Sequence, residues 1–244
     1  MIFNSKGRQT FFICILFATL ISSCQKSITN DTDSNTDTTT EKSTISLYKI
    51  GSGVTDIDGN FYPSIIIGNQ EWMQINLKVT RYQNGDSIVT HSSPAGLWNY
   101  YNNDPSYNTP YGKLYSWAVA ADSRIVAPIG WHIPAAYEWD TLINRTGGPD
   151  SAGRVLKENG YSHWIPGGED SANNKSGFTG LPGGECSMGI TAQYGTIGSE
   201  GYWWTTSITT NNEAIAYNMG CNTFEVDPMN SPKIDEYSIR CIKN

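Results

Sequence analysis

The 244-residue chain sets 16 Lys and Arg against 23 Asp and Glu, a formal charge of −7 at neutral pH. It therefore lacks the basic face that nucleic acid demands, and it gains nothing from anionic lipid headgroups. Abundant Gly, Asn, Tyr and Trp with few Leu predict a loop-rich α+β domain rather than a helical bundle, and no repeat of fixed period supports a solenoid.

The chain opens with Lys6 and Arg8 and then an apolar run from Phe11 to Ile21, too short for an ordinary membrane span. It ends in Ile21-Ser22-Ser23-Cys24, which resembles the lipobox of bacterial lipoproteins. The resemblance implies a signal peptide over 1–23, cleavage before Cys24, and lipid on the Cys24 sulfur and the new amino terminus. The expected result is a chain anchored to the outer membrane by lipid, without spanning it, and exposed at the cell surface. Loss of Lys6 and Arg8 takes the formal charge from −7 to −9. Residues 24–50 hold the lipidated cysteine and a Thr/Ser/Asn/Asp-rich stretch with too little apolar surface to offset ordering, and are expected to be a flexible tether. One domain is expected over 51–244.

In Val54–Asn60, V-T-D-I-D-G-N reads as a hairpin turn before β-branched Ile65, Ile66 and Ile67. As a calcium loop it lacks further oxygen ligands and a correctly placed glutamate. Glu71–Leu77 is a second predicted strand, and Asn84-Gly85 a further turn. Leu97–Tyr111 is a polar-aromatic loop with two prolines. Leu114, Tyr115, Ala118 and Ala121 predict a helix over Tyr111–Ala121. Gly130-Trp131-His132-Ile133-Pro134 is an extended lead-in to a helix carrying Trp139, Leu142 and Ile143 on one face and stopped by Gly147-Gly148. Pro149 and Asp150-Ser151 open a shorter helix with Val155 and Leu156. Strands are expected at Phe178–Leu181, Tyr202–Ser207, Ala214–Met219, Thr223–Val226 and Ser238–Ile242, with Trp203 and Trp204 on opposite sheet faces.

Read in order, D-I-D-G-N-F-Y, I-G-N-Q-E-W-M-Q-I-N-L-K, Y-N-N-D, Y-G-K-L-Y-S-W, G-W-H-I-P-x-x-x-E-W, S-G-F-T-G-L-P-G-G, G-Y-W-W-T-T-S and S-I-R-C-I-K resemble the FISUMP family (Fibrobacter succinogenes major paralogous domain) over about Val54 to Lys243. The resemblance implies a surface or secreted location and a fold similar to C-type-lectin-like and formylglycine-generating-enzyme domains, and no mechanism. The chain departs from the family at two places. Ala127 stands where a cysteine is common before P-x-G-W-H. Ala135 stands where a serine would complete a capping box with Glu138, so Ala135→Ser is expected to stabilise by about 1 kcal/mol. With Cys24 lipidated, Cys186, Cys221 and Cys241 form an odd set in a compartment that permits disulfides. The usual partner of Cys241 being absent, the resemblance favours a Cys186–Cys221 bridge and a reduced, buried Cys241; residue order alone leaves Cys221–Cys241 open.

The chemistry points away from catalysis. His91, His132 and His163 fit no metal or nucleophile motif, His132 reads as a structural imidazole, and Glu138 and Asp140 do not share a helix face. The alternatives are a glycan-binding or adhesive module, a structural or protein-binding surface module, and, less favoured, an enzyme on a formylglycine-type fold. A sugar needs flat apolar rings beside oriented polar groups. Trp98, Tyr100, Tyr101, Asn102, Asn103 and Asp104 supply both, set against the competing reading that such rings are core. Asp170, Asn173 and Asn174 are weak calcium candidates.

Overall fold

In the computed structural model, which describes residues 48–90, 97–167, 172–189 and 191–244, the chain begins with short strands broken by turns. β1 (Lys49–Ile50) pairs with β4 (Ser64–Ile67), and β2 (Val54–Thr55) with β3 (Phe61–Tyr62), around the predicted turn. Both carboxylates of that turn are engaged within the protein. Asp56 accepts from the backbone of Asp58 and Asn60 (both 2.9 Å) and from Tyr62 Oη (2.6 Å). Asp58 accepts from Thr80 and Arg81. Burial alone would raise the Asp58 pKa, but these bonds outweigh it and hold the carboxyl below its usual range.

β5 (Gln70–Met73) pairs with β4, and β6 (Trp98–Asn99) opens the polar-aromatic loop, which closes in the single turn α1 (Asn108–Tyr111). The helix predicted from Tyr111 to Ala121 is replaced by strand β7 (Leu114–Ser116) and one turn of α2 (Trp117–Ala120). Gly112, at φ 82, breaks the helical path. Leu114 and Tyr115 then turn into different core clusters, so the apolar pairs read as helical spacing are strand alternation between two buried faces.

β8 (Trp131–His132) leads into α3 (Ala136–Arg145) as predicted, and Gly147 and Gly148 follow at φ 121 and 85. Ala135 gives no side-chain cap. Glu138 Oε2 still accepts from the Ala135 N–H (2.9 Å), and Ser207 Oγ accepts from the Ala136 N–H (3.0 Å). Trp139, Leu142 and Ile143 are buried, with Trp139 stacked on Tyr217 (5.1 Å, 11°) and edge-on to Trp72 (5.3 Å). Burial of such side chains is worth about 1.5–3 kcal/mol each. The shorter helix α4 is a turn at Gly153–Leu156.

The C-terminal third is strands: β9 (Glu185–Met188), β10 (Ala192–Gly195), β11 (Glu200–Ile208), β12 (Glu213–Gly220), β13 (Asp227–Pro232), β14 (Glu236–Tyr237) and β15 (Ile242–Lys243). Phe178–Leu181 and Thr223–Val226 are not strands. Within the first, Gly180 makes an isolated bridge to Lys157. Of the predicted Ser238–Ile242 strand only Ile242 lies in a strand, at the start of β15; Ser238 makes an isolated bridge to Trp203, and β14 ends before it at Tyr237. The sheets run β1-β4-β5-β15-β8, β10-β9-β14-β7-β6 and β11-β12-β13, giving a strand-rich α+β architecture. As strand alternation requires, Trp203 and Trp204 fall in separate core clusters.

One buried polar hub ties these parts together. Arg240 is 1% exposed, and its guanidinium lies 4.4 Å from the Phe178 ring and 5.7 Å from that of Trp203. It donates to Asn76 Oδ1 from Nε (3.0 Å) and Nη2 (2.7 Å), and to the carbonyls of Phe178 and Thr179. Burial pushes its pKa down to about 9, so it stays charged at neutral pH. Asn76 Oδ1 also accepts from Trp203 Nε1 (2.9 Å), and its amide donates to Tyr111 O (2.9 Å) and Ser238 Oγ (3.1 Å). Five of the ordered sequence motifs thus meet at one side-chain pair.

The expected Cys186–Cys221 disulfide is absent: Cys186, Cys221 and Cys241 are free thiols. Cys186 sits on β9 in the cluster of Tyr101 and Leu114, whereas Cys221 packs against the cluster of Trp139 and Trp203. Side chains committed to different clusters do not meet the short Cβ separation that a bridge requires. Burial pushes the Cys186 thiol up to about 12. Cys241 is buried and reduced, as expected, in the same cluster as Ala127.

Candidate functional site

The predicted ligand loop is assembled differently from the way its composition suggests. Trp98 is 7% exposed and donates its indole N–H to Ile88 O (3.0 Å). Tyr101 is also 7% exposed, within the cluster of Leu114 and Cys186. Neither offers a ring face to solvent, which corrects their assignment as sugar platforms: both rings fill core under the loop. Tyr100 is half-buried, edge-on to Trp98 (5.3 Å). The Lys113 ammonium lies 4.9 and 5.0 Å from these two rings, and burial pushes its pKa down to about 8.

Asn102, Asn103 and Asp104 are exposed. Asn102 and Asn103 take φ of 55 and 58, a left-handed conformation that Asn tolerates better than most residues. Asp104 Oδ1 accepts from the Ser106 N–H (2.9 Å) and opens the next turn. The loop therefore projects two amides and a carboxylate from a rigid double turn.

Beside them runs a series of rings that motif reading did not assemble. Tyr194 of β10 contacts Tyr101 (5.5 Å), Tyr101 contacts Tyr107 (5.3 Å), Tyr107 contacts Tyr111 (6.1 Å), and Tyr111 contacts His163 (5.5 Å). Tyr194, Tyr107, Tyr111 and His163 are all half-buried, with Tyr101 as the buried link. Asn99 Nδ2 donates to the Tyr194 hydroxyl, and the backbone of Tyr111 is fixed by Asn76. His163 Nδ1 lies 2.8 Å from Glu158 Oε1. Tyr107 and Tyr111, four residues apart, were a local signal; Tyr194 and His163 come from distant segments and carried none.

A cleft of about 550 Å³ lies elsewhere, lined by Trp117, Val126, Ile129, His132, Thr206 and Asn244 among others. A smaller one of about 190 Å³ shares Gln83, Val126, Ala127 and Ile129. Ile129 is 83% exposed between them, and Ile125, at φ 59, is a strained position for a β-branched residue. His132 is fully engaged, Nδ1 with Asn244 Oδ1 (2.7 Å) and Nε2 with Glu138 (3.0 Å), the structural role expected of it. Asp140 bonds Tyr217 Oη (2.5 Å) instead, so the two helix carboxylates serve different partners.

For calcium, Asn173 Oδ1 accepts from the Lys175 N–H and Asn174 Oδ1 from the Thr179 N–H, so both amides stabilise their own loop. Asp170, His91 and Cys24 lie outside the described residues. Among the described residues no group of three His, Cys, Asp or Glu side chains is placed to hold a metal ion, and no helix is long and apolar enough to cross a membrane.

Compared with known proteins, the chain matches the model of the Fibrobacter succinogenes major domain family over residues 65–243. No curated protein and no solved structure matches it.

Proposed function

The chain belongs to the Fibrobacter succinogenes major domain family, and we propose that it is a lipoprotein, anchored to the outer membrane through Cys24, whose domain binds glycan at the cell surface without catalysis. The observation that carries the reading is the run of rings from Tyr194 to His163, half-buried except for the core link Tyr101, beside the exposed amides of Asn102 and Asn103. Rings supply apolar faces for sugar C–H groups, and amides supply oriented hydrogen bonds. A C-type-lectin-like arrangement of the domain belongs to the same reading. The acidic net charge favours uncharged over anionic glycans.

A second reading, a module that binds another surface protein, draws support from the strained Ile125 and the exposed Ile129 at the cleft. Retention on immobilised cell-wall polysaccharides separates the two. Under the glycan reading Tyr107→Ala reduces retention and Ile129→Asp does not. No retention of the wild-type chain on any polysaccharide supports the protein-binding reading.

A further inference from the structure

Resting on the glycan reading, we infer that the ring series is a lengthwise site for an unbranched, uncharged polysaccharide, bound along several consecutive sugars rather than by a terminal residue. Each ring touches the next, Tyr194 to Tyr101 to Tyr107 to Tyr111 to His163, at 5.3–6.1 Å between centroids. The features that repeat are the half-buried rings of Tyr194, Tyr107, Tyr111 and His163, joined through the buried Tyr101, and a repeating ligand meets repeating contacts.

The series is pre-organised. Tyr101 is locked in the core, Asn99 holds the Tyr194 hydroxyl, and Asn76 holds the Tyr111 carbonyl from the buried hub. Rings already fixed lose little freedom on binding, which favours association of a long ligand through many weak contacts. His163 supplies a polar end. Both Glu158 oxygens face Nδ1 (2.8 and 2.9 Å), and among the described residues Nε2 has no partner, leaving it to bond a sugar hydroxyl. Asn102 and Asn103 flank the run. Asp104 and Glu158 border it with negative charge, against Lys78, whose ammonium lies 3.4 Å from Thr109 Oγ1, which disfavours uronic-acid or sulfated chains.

The test is titration of the full chain, purified in detergent, with cello-, xylo-, manno- and chito-oligosaccharide ladders from mono- to hexasaccharide. In the ladder that binds, affinity is expected to rise at least about tenfold from disaccharide to tetrasaccharide and then level off. Tyr111→Ala and His163→Gln should each remove much of that gain while leaving disaccharide binding nearly unchanged. Asn102→Gly, which keeps the turn and removes only the amide, guards against a misfolded Tyr111 variant and should also weaken the tetrasaccharide. Binding that is independent of length, or unaffected by all three substitutions, overturns the lengthwise site while the glycan reading stands. Failure of every ladder, together with no retention on any polysaccharide, overturns both.

Discussion

Asn76→Ala should be among the most damaging single substitutions in the domain. Asn76 is 1% exposed, and its Oδ1 accepts two bonds from the Arg240 guanidinium and one from Trp203 Nε1. Hydrogen bonds to charged groups contribute about 1.5–3 kcal/mol, and a buried donor left unmet costs about 1–3 kcal/mol. Among the described residues the neighbours of Arg240 in the core are rings, carbonyls and this amide, and none is a carboxylate that could take over when the amide is removed. Two charge-assisted bonds and one indole N–H together give a loss of about 4 kcal/mol or more, against a total stability of about 5–15 kcal/mol for such a domain. Urea unfolding followed by tryptophan fluorescence should show the midpoint falling by about 1.5–2 M with little change in slope. Asn76→Asp keeps the acceptor and adds a countercharge, and should lose less. An Asn76→Ala midpoint within about 0.3 M of wild type would refute the view that this hub, rather than the surrounding apolar packing, organises the fold.

Trp98→Ala should cost about 3 kcal/mol by leaving a cavity beside Ile88 and Tyr115, because the ring is core; a melting temperature equal to wild type would contradict that placement. Ser207→Ala should cost about 1 kcal/mol by abandoning the Ala136 N–H at the start of α3, measured by denaturation. Since the N3 donor a cap would meet, the Glu138 N–H, already reaches the Ala135 carbonyl (3.1 Å), Ala135→Ser should gain only about 0.5 kcal/mol rather than the 1 kcal/mol expected from sequence. The Glu71 carboxyl accepts from Ser64 Oγ (2.7 Å), the Ser52 N–H (2.8 Å) and Lys243 (2.8 Å). Burial acts to raise its pKa, but these bonds outweigh it and bring it down to about 2. Its stabilisation is therefore complete above the ordinary pKa of 4.5 and fades as pH falls from there towards 2. The difference in urea midpoint between wild type and Glu71→Gln should be larger at neutral pH than at pH near 3, and an equal difference at both would count against the assignment.

What the sequence showed most clearly was local and periodic. The lead-in to α3, its face of Trp139, Leu142 and Ile143, its glycine stop and the Asp56–Asn60 turn follow from propensities acting within a dozen residues. Leu114–Ser116 was misread because a short strand buried on both faces shows the same apolar pairs as a helix turn. The Cys186–Cys221 bridge was drawn from family resemblance and compartment, and neither places two side chains in space. The binding loop was found through its composition, yet composition does not separate Trp98, which turns inward, from Tyr107, which stays half-exposed. Tyr194 and His163 join that face only through long-range packing, and the Asn76–Arg240 contact links residues 164 apart in the chain.

The most direct test of the central claim is a glycan array probed with the full chain and with a Tyr107→Ala/Tyr111→Ala double variant, each with calcium and with EDTA. The account predicts hits among uncharged polysaccharides that persist in EDTA and disappear in the double variant. Hits that require calcium, that survive the double variant, or that are confined to anionic glycans would contradict it.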